Sequence, residues 1–154
     1  MQKITPFLWF DDQAEEAMLH YTSIFKNSKI LSISRNGEGA AAQVMSATFE
    51  IEGQPFMALN GGPHFSFTPA ISLFVNCQTQ AEVDELWERL SEGGAGGQCG
   101  WLTDKFGLSW QIVPTALGEL MGDPDAEKSG RVMNAMLQMG KLDIAGLQRA
   151  YAGE

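Results

Sequence analysis

A chain of 154 residues, 44% apolar and 10% aromatic, has the size and composition of one ordinary globular domain with a continuous core. Its formal charge of -9, with ten Lys and Arg scattered along the chain, excludes the concentrated basic surface that a phosphate backbone requires, so nucleic acid is not an expected partner. No stretch reaches the length of a membrane span, and Met1-Gln2-Lys3-Ile4 lacks the long apolar region of a secretory signal, so the expected compartment is the cytoplasm with no membrane partner.

Ile4-Thr5-Pro6-Phe7-Leu8-Trp9-Phe10 predicts a first strand. Asp12 with Glu15 three residues on predicts the cap of a helix whose apolar face is Ala14, Ala17, Met18, Tyr21, Ile24 and Phe25. Lys29 to Arg35, Gln43 to Ile51 and Gln54 to Asn60 predict three strands, separated and closed by Asn36-Gly37, Glu52-Gly53 and Gly61-Gly62-Pro63.

The same order then repeats, and such a repeat governs how the whole chain is read. Ala70-Ile71-Ser72-Leu73-Phe74-Val75-Asn76 predicts a strand, and Thr79 with Glu82 predicts a capped helix with Val83, Leu86, Trp87 and Leu90 on one face, ending at Gly93-Gly94. Gly93-Gly94-Ala95-Gly96-Gly97 follows a helix and precedes strands, the wrong order for a phosphate cradle, so these glycines are expected to be punctuation; no strand is well supported before Cys99. Cys99 to Thr103 and Leu108 to Pro114 predict strands joined at Asp104-Lys105-Phe106-Gly107.

Beyond them, Asp123-Pro124 predicts the start of a helix bearing Val132, Met133, Met136 and Met139, and Asp143 starts a shorter one with Ile144, Leu147 and Tyr151 on one side. The expectation is one domain over 1–154, with modules at about 3–62 and 69–115 and a helical tail at about 116–152 that covers the sheet near a dimer interface. Cys77 and Cys99 show no metal-type spacing; a disulfide between them stays open, with two unpaired thiols the favoured reading in a reducing compartment. Glu15, Glu16, Glu82, Asp84, Glu85 and Glu88 are read as mostly solvent-facing charges on helix surfaces.

Three segments carry a resemblance: Ile71-Ser72-Leu73-Phe74-Val75-Asn76-Cys77, Glu88-Arg89-Leu90-Ser91-Glu92-Gly93-Gly94, and Gln98-Cys99-Gly100-Trp101-Leu102-Thr103-Asp104-Lys105-Phe106-Gly107-Leu108-Ser109-Trp110-Gln111-Ile112-Val113-Pro114. Together the chain resembles the PhnB-like branch of the vicinal oxygen chelate superfamily, a branch that often carries a demethylubiquinone 3-methyltransferase label. The superfamily also holds glyoxalases, bleomycin-resistance proteins, fosfomycin-resistance enzymes and extradiol dioxygenases. The resemblance implies an α+β fold, two βαβββ modules forming a cupped mixed sheet with C-terminal helices added, and commonly a homodimer.

It also implies a divalent metal held by histidine and carboxylate in the cup. The matching positions here are Gln111, Ala58 (or Met57 if the register slips by one), a first-strand position near Thr5 and its second-module equivalent near Ala70. Amides and alkyl groups are poor donors for such a cation, so no metal is expected. His20 lies within the first helix, away from the expected cup, and His64 is expected to be a solvated loop residue. The methyltransferase label finds no glycine-rich strand-to-helix turn for S-adenosylmethionine, since Trp9-Phe10-Asp11-Asp12 has no glycine, although a different site for that cofactor stays open; no cofactor is expected.

The expected pocket is apolar and aromatic. Thr5, Phe7 and Trp9 share a strand face if alternation holds, Trp101 and Trp110 with Gln111 sit on the closing strands, and Gln111 and Asn60 would orient a ligand. These tryptophans are equally readable as ordinary core. Cys99 has no adjacent base and is read as structural. Two functions stay open: a metal-independent homodimer that sequesters a hydrophobic or aromatic small molecule, and an enzyme, either a transferase as the family label implies or a glyoxalase-type lyase or isomerase. The scarcity of acids and bases in the expected cup tips the reading towards binding.

Overall fold

Each predicted repeat folds as a four-stranded sheet with a helix on one face. The computed structural model describes residues 2–39 and 42–154, so Met1 of the N-terminal segment lies outside the described residues. The chain divides into two compact units, Met1–Phe67 and Thr68–Glu154, and the fold is α+β.

Unit one runs β1 (Phe7–Phe10), α1 (Ala14–Ile24), β2 (Lys29–Arg35), β3 (Val44–Ile51) and β4 (Gln54–Asn60). Its sheet has the order β1-β4-β3-β2, with β1 parallel to β4 and the other pairs antiparallel. The first strand begins at Phe7 instead of Ile4: Pro6 has no amide hydrogen for the ladder, although its carbonyl still accepts from the Met57 amide. β3 turns into β4 through Glu52-Gly53, both at positive φ, the conformation a two-residue hairpin demands. Ala14, Ala17, Met18, Tyr21, Ile24 and Phe25 are all buried, as the helical spacing predicts, and α1 packs chiefly on β3.

The cap of α1 differs from expectation. The N-cap is Gln13, whose side chain makes no capping bond, and the Ala14 amide instead donates to Oδ1 of Asn60 at 2.8 Å. Asn60 ends β4 on the helix side of the sheet, and its Nδ2 donates to the Val44 carbonyl at 2.9 Å, so both halves of its amide are engaged.

Unit two runs β5 (Ser72–Cys77), α2 (Gln80–Ser91), β6 (Ala95–Gly96), β7 (Trp101–Thr103) and β8 (Ser109–Pro114), then α3 (Thr115–Met121), α4 (Ala126–Leu137) and α5 (Ile144–Ala152). The order β5-β8-β7-β6 repeats that of unit one, again with a single parallel pair, β5 with β8. Thr79 caps α2 by accepting from the Glu82 amide, and Val83, Leu86 and Leu90 are buried beneath it. β6 occupies two residues inside the glycine run, where the sequence supports no strand; Gly96 lies so close to the Trp87 ring that a Cβ would sit 2.8 Å from it.

The tail departs most from expectation. α3 falls inside the expected helical tail, and Leu117, Leu120 and Met121 keep helical spacing, but its start carries no cap, because Pro114 at its N-cap offers no side-chain acceptor, and Gly118 lowers its helix propensity. α4 starts later than Asp123-Pro124 suggests: Asp125 is its N-cap and accepts from the Glu127 and Lys128 amides. Val113, Leu117, Val132, Leu142 and Leu147 form the buried cluster that joins these helices to β8, with Met136, Met139 and Tyr151 packed around it.

Candidate functional site

Alternation along β8 sends neighbouring side chains to opposite faces of the sheet in unit two. Trp110 and Ile112 are 1% and 0% exposed on the side against which α2 packs, which removes Trp110 from the expected pocket. Its indole Nε1 donates to Oδ2 of the buried Asp104, whose Oδ1 accepts from the Phe106 and Leu108 amides, so this carboxylate braces the turn into β8. Gln111 points to the other face. Strand register puts Phe74 beside it on β5 and Trp101 beside it on β7, so Phe74, Gln111 and Trp101 form one row across three strands.

That row floors a cavity of about 730 Å³ lying wholly within unit two. Asn76, Cys99 and Val113 extend the sheet side, and Thr115, Leu117, Glu119 and Met121 of α3 with Met136 of α4 form the other wall. The Gln111 Nε2 donates to Oγ of Ser72 at 3.0 Å, and the Thr115 hydroxyl donates to the Cys77 carbonyl at 3.2 Å. Fixed amide and hydroxyl groups in an apolar, aromatic and methionine-lined hollow are the makings of a small-molecule site. Burial, and then the nearby Glu82 carboxylate, pushes the Cys77 thiol up to about 12, so the thiol with access to the cavity is that of Cys99. Cys99 itself stands at φ +59°, with its amide donating to the Met139 carbonyl at 2.8 Å.

Of the six expected pocket residues, the structure brings Cys99, Trp101 and Gln111 together here. Phe7, Trp9 and Asn60 belong to unit one. Phe7 and Trp9 share the open face of β1 beside Met57 and Leu59 of β4, while Leu8 and Phe10 are buried on the other. Trp9 is held by the segment that follows β4: its Nε1 donates to the Gly62 carbonyl, its ring meets Phe65 edge-on at 5.0 Å, and a Cβ at Gly61 would collide with it. Asn60 faces α1 as a helix cap. Sequence reasoning missed Phe74, Asn76, Thr115, Glu119 and Met121. Pairing β5 with β8 in parallel, with Phe74 opposite Gln111, would have found Phe74 and Asn76, whereas the facing of the helical tail onto this row left no local signal.

The metal implied by the resemblance does not fit these residues. Gln111 is flanked by two aromatic rings and shares its amide hydrogen with Ser72. In unit one Ala58 is fully buried on the α1 side, and Met57, on the open face, offers only a thioether. Thr5 and Ala70 precede their strands, and among the described residues no three His, Cys, Asp or Glu side chains cluster to hold an ion. S-adenosylmethionine binding of the glycine-turn type does not fit either: β1 enters α1 through Asp11-Asp12-Gln13, and the sheet has one parallel pair where that mode uses a parallel array.

The model of the 3-demethylubiquinone-9 3-methyltransferase family matches residues 2–113. A Bacillus cereus protein of known structure, described as a PhnB protein with the same methyltransferase label, is 44% identical; the match covers 74% of this chain and 100% of that one, at a TM-score of 0.68. A Pseudomonas aeruginosa protein is 22% identical over 74% of this chain and 98% of its own, at 0.63. A fosfomycin resistance protein from Listeria monocytogenes is 17% identical over 77% and 97%, at 0.53, a likeness of fold. No curated protein matches the chain. The family match stops at Val113, so α3, α4 and α5 lie past it.

Proposed function

Because this chain belongs to the 3-demethylubiquinone-9 3-methyltransferase (PhnB-like) family of the vicinal oxygen chelate superfamily, we propose that it is a metal-independent homodimer that binds a hydrophobic or aromatic small molecule in the unit-two cavity. The observation that carries the reading is the Phe74, Gln111, Trp101 row: two rings flank one oriented amide where a metal chemistry would need a carboxylate. A flat ligand would stack against Trp101 and Phe74. Gln111, its amide hydrogen shared with Ser72, would accept from the ligand through its carbonyl oxygen.

Methyl transfer, or lyase chemistry of glyoxalase type, needs a positioned acid, base or nucleophile. Among the described residues lining the cavity, the titratable side chains are Cys99 and Glu119, with no imidazole or lysine beside either along the lining. Binding therefore accounts for more of the geometry than catalysis. Dimerisation is supported by large apolar groups outside the cavity that the single chain leaves in water, with Ile4 85%, Ile71 65% and Phe7 49% exposed. Two unpaired cysteines are in keeping with the cytoplasm, and among the described residues no helix is long and apolar enough to cross a membrane.

Native mass spectrometry of the purified protein, with elemental analysis of the same sample, tests the reading. A metal-free dimer is the expected result, and a retained organic molecule would name the ligand class. One stoichiometric metal per chain, or a monomer at micromolar concentration, would overturn it.

A further inference from the structure

We infer that the cavity selects a cationic aromatic ligand, one that stacks its ring on Trp101 and presents a protonated nitrogen to Glu119. The inference rests on the reading of the cavity as a binding site and adds the charge of its occupant. Glu119 is the one carboxylate among the described residues lining the cavity, and no Lys, Arg or His lines it. Apart from the amides of Asn76 and Gln111, the Thr115 hydroxyl and the Cys99 thiol, the remaining lining is aliphatic, aromatic or thioether, so a bound anion would lose its water beside Glu119 with no cation to replace it.

A cation meets the opposite conditions. Trp101 and Phe74 offer ring faces whose quadrupoles attract positive charge, and Met121 and Met136 offer polarisable sulfur. The chain's formal charge of -9 adds a field that draws cations and repels anions at a distance. A neutral ring would use the stacking surface and Gln111 but leave Glu119 idle. Glu119 stands on α3, past the end of the family match, so the group that sets the charge preference belongs to the tail and the amide that orients the ligand belongs to the matched core.

Three probes with one ring system separate these terms: 1-naphthylmethylammonium, 1-naphthalenemethanol and 1-naphthoate, titrated calorimetrically into the full chain at low salt. The ammonium should bind about threefold to tenfold more tightly than the alcohol, and the carboxylate more weakly than both. Glu119→Gln should bring the ammonium-to-alcohol ratio to about one, because the exposed side chain changes charge with little change in shape. Gly118→Leu locates the site: Gly118 of α3 lines the cavity and a Cβ there meets nothing within 4 Å, so a larger side chain adds bulk at the lining without disturbing α3, and all binding should weaken. Equal binding of ammonium and alcohol, or a preference that survives Glu119→Gln, would overturn the charge assignment and leave the pocket reading standing. Absence of binding by all three probes, or binding indifferent to Gly118→Leu, would overturn both.

Discussion

The side-chain carbonyl of Gln80 accepts the Ile144 amide hydrogen at 2.7 Å, closing the first turn of α5 from a residue 64 positions earlier. It does for α5 what Asn60 does for α1. Both helices begin at a residue, Asp143 or Gln13, whose own side chain makes no capping bond, and both borrow a distant amide, α1 from the end of the later strand β4 and α5 from the start of the earlier helix α2. The Gln80 Nε2 also donates to the Leu142 carbonyl and to Asp84, which is ion-paired with Lys141 at 2.9 Å. One side chain thus ties the tail to α2.

Gln80→Ala and Asn60→Ala should each lower unfolding free energy by about 1–2 kcal/mol, the worth of a cap plus a carbonyl left unpaired. Urea denaturation should show a lower midpoint at an unchanged slope. A midpoint equal to that of the parent chain would mean that water replaces the amide at no cost.

Gln111→Glu supplies a carboxylate at the position a metal-dependent relative would use. With Phe74 and Trp101 on either side, one carboxylate gives a single anchoring point, and tight binding needs three or four. Elemental analysis of the dialysed variant should find no stoichiometric zinc, manganese or nickel. Retention of one ion per chain would contradict the assignment of the donor set.

Thiol labelling separates the two cysteines. Cys77 is fully buried and its thiol is pushed up to about 12, whereas Cys99 opens into the cavity. Maleimide at pH 7 should modify one thiol per native chain, mapped to Cys99 by peptide mass. Modification of Cys77 at a similar rate would show that β5 opens readily.

The hydroxyl of Tyr151 donates to the Asp123 carboxylate, fastening the end of α5 to the loop before α4. That bond holds the Asp123 carboxyl below its ordinary range and, from the other side, raises the Tyr151 phenol above its own. The Asp123 contribution is therefore present above the unfolded carboxyl value of about 4 and is lost as pH falls through the lower folded value. The Tyr151 contribution is present below about pH 10 and is lost as pH rises through the higher folded value. Thermal melts of parent and Tyr151→Phe should differ by a constant amount from about pH 5 to 9 and converge at both extremes. A difference as large at pH 3 as at pH 7 would rule out the carboxylate as partner.

How far the sequence disclosed the molecule depended on whether a feature was local. The strands Lys29–Arg35 and Gln54–Asn60 and the buried face of α1 follow from alternation and helical spacing, and the observed bounds agree. Caps taken from distant residues could not be read, because a side chain 46 positions away leaves no mark beside Ala14. Gln111 and Trp101 were legible as a pair, since both sit on the closing strands of the repeat. The opposite wall was hidden because α3, although inside the expected helical tail, has no capping side chain to fix its start and no local mark of the strands it faces.

Asn60 is the last residue of β4, yet it completes the first turn of α1, near the beginning of the chain. During synthesis, α1 leaves the ribosome with that turn open and gains its acceptor only when some fifty further residues have emerged and β4 has laid itself alongside β1. The same delay recurs with the roles reversed, since Gln80 waits for α5. Each unit is thereby fastened by a late event, so a fragment ending before Asn60, or before Ile144, would contain the helix or its acceptor but never both.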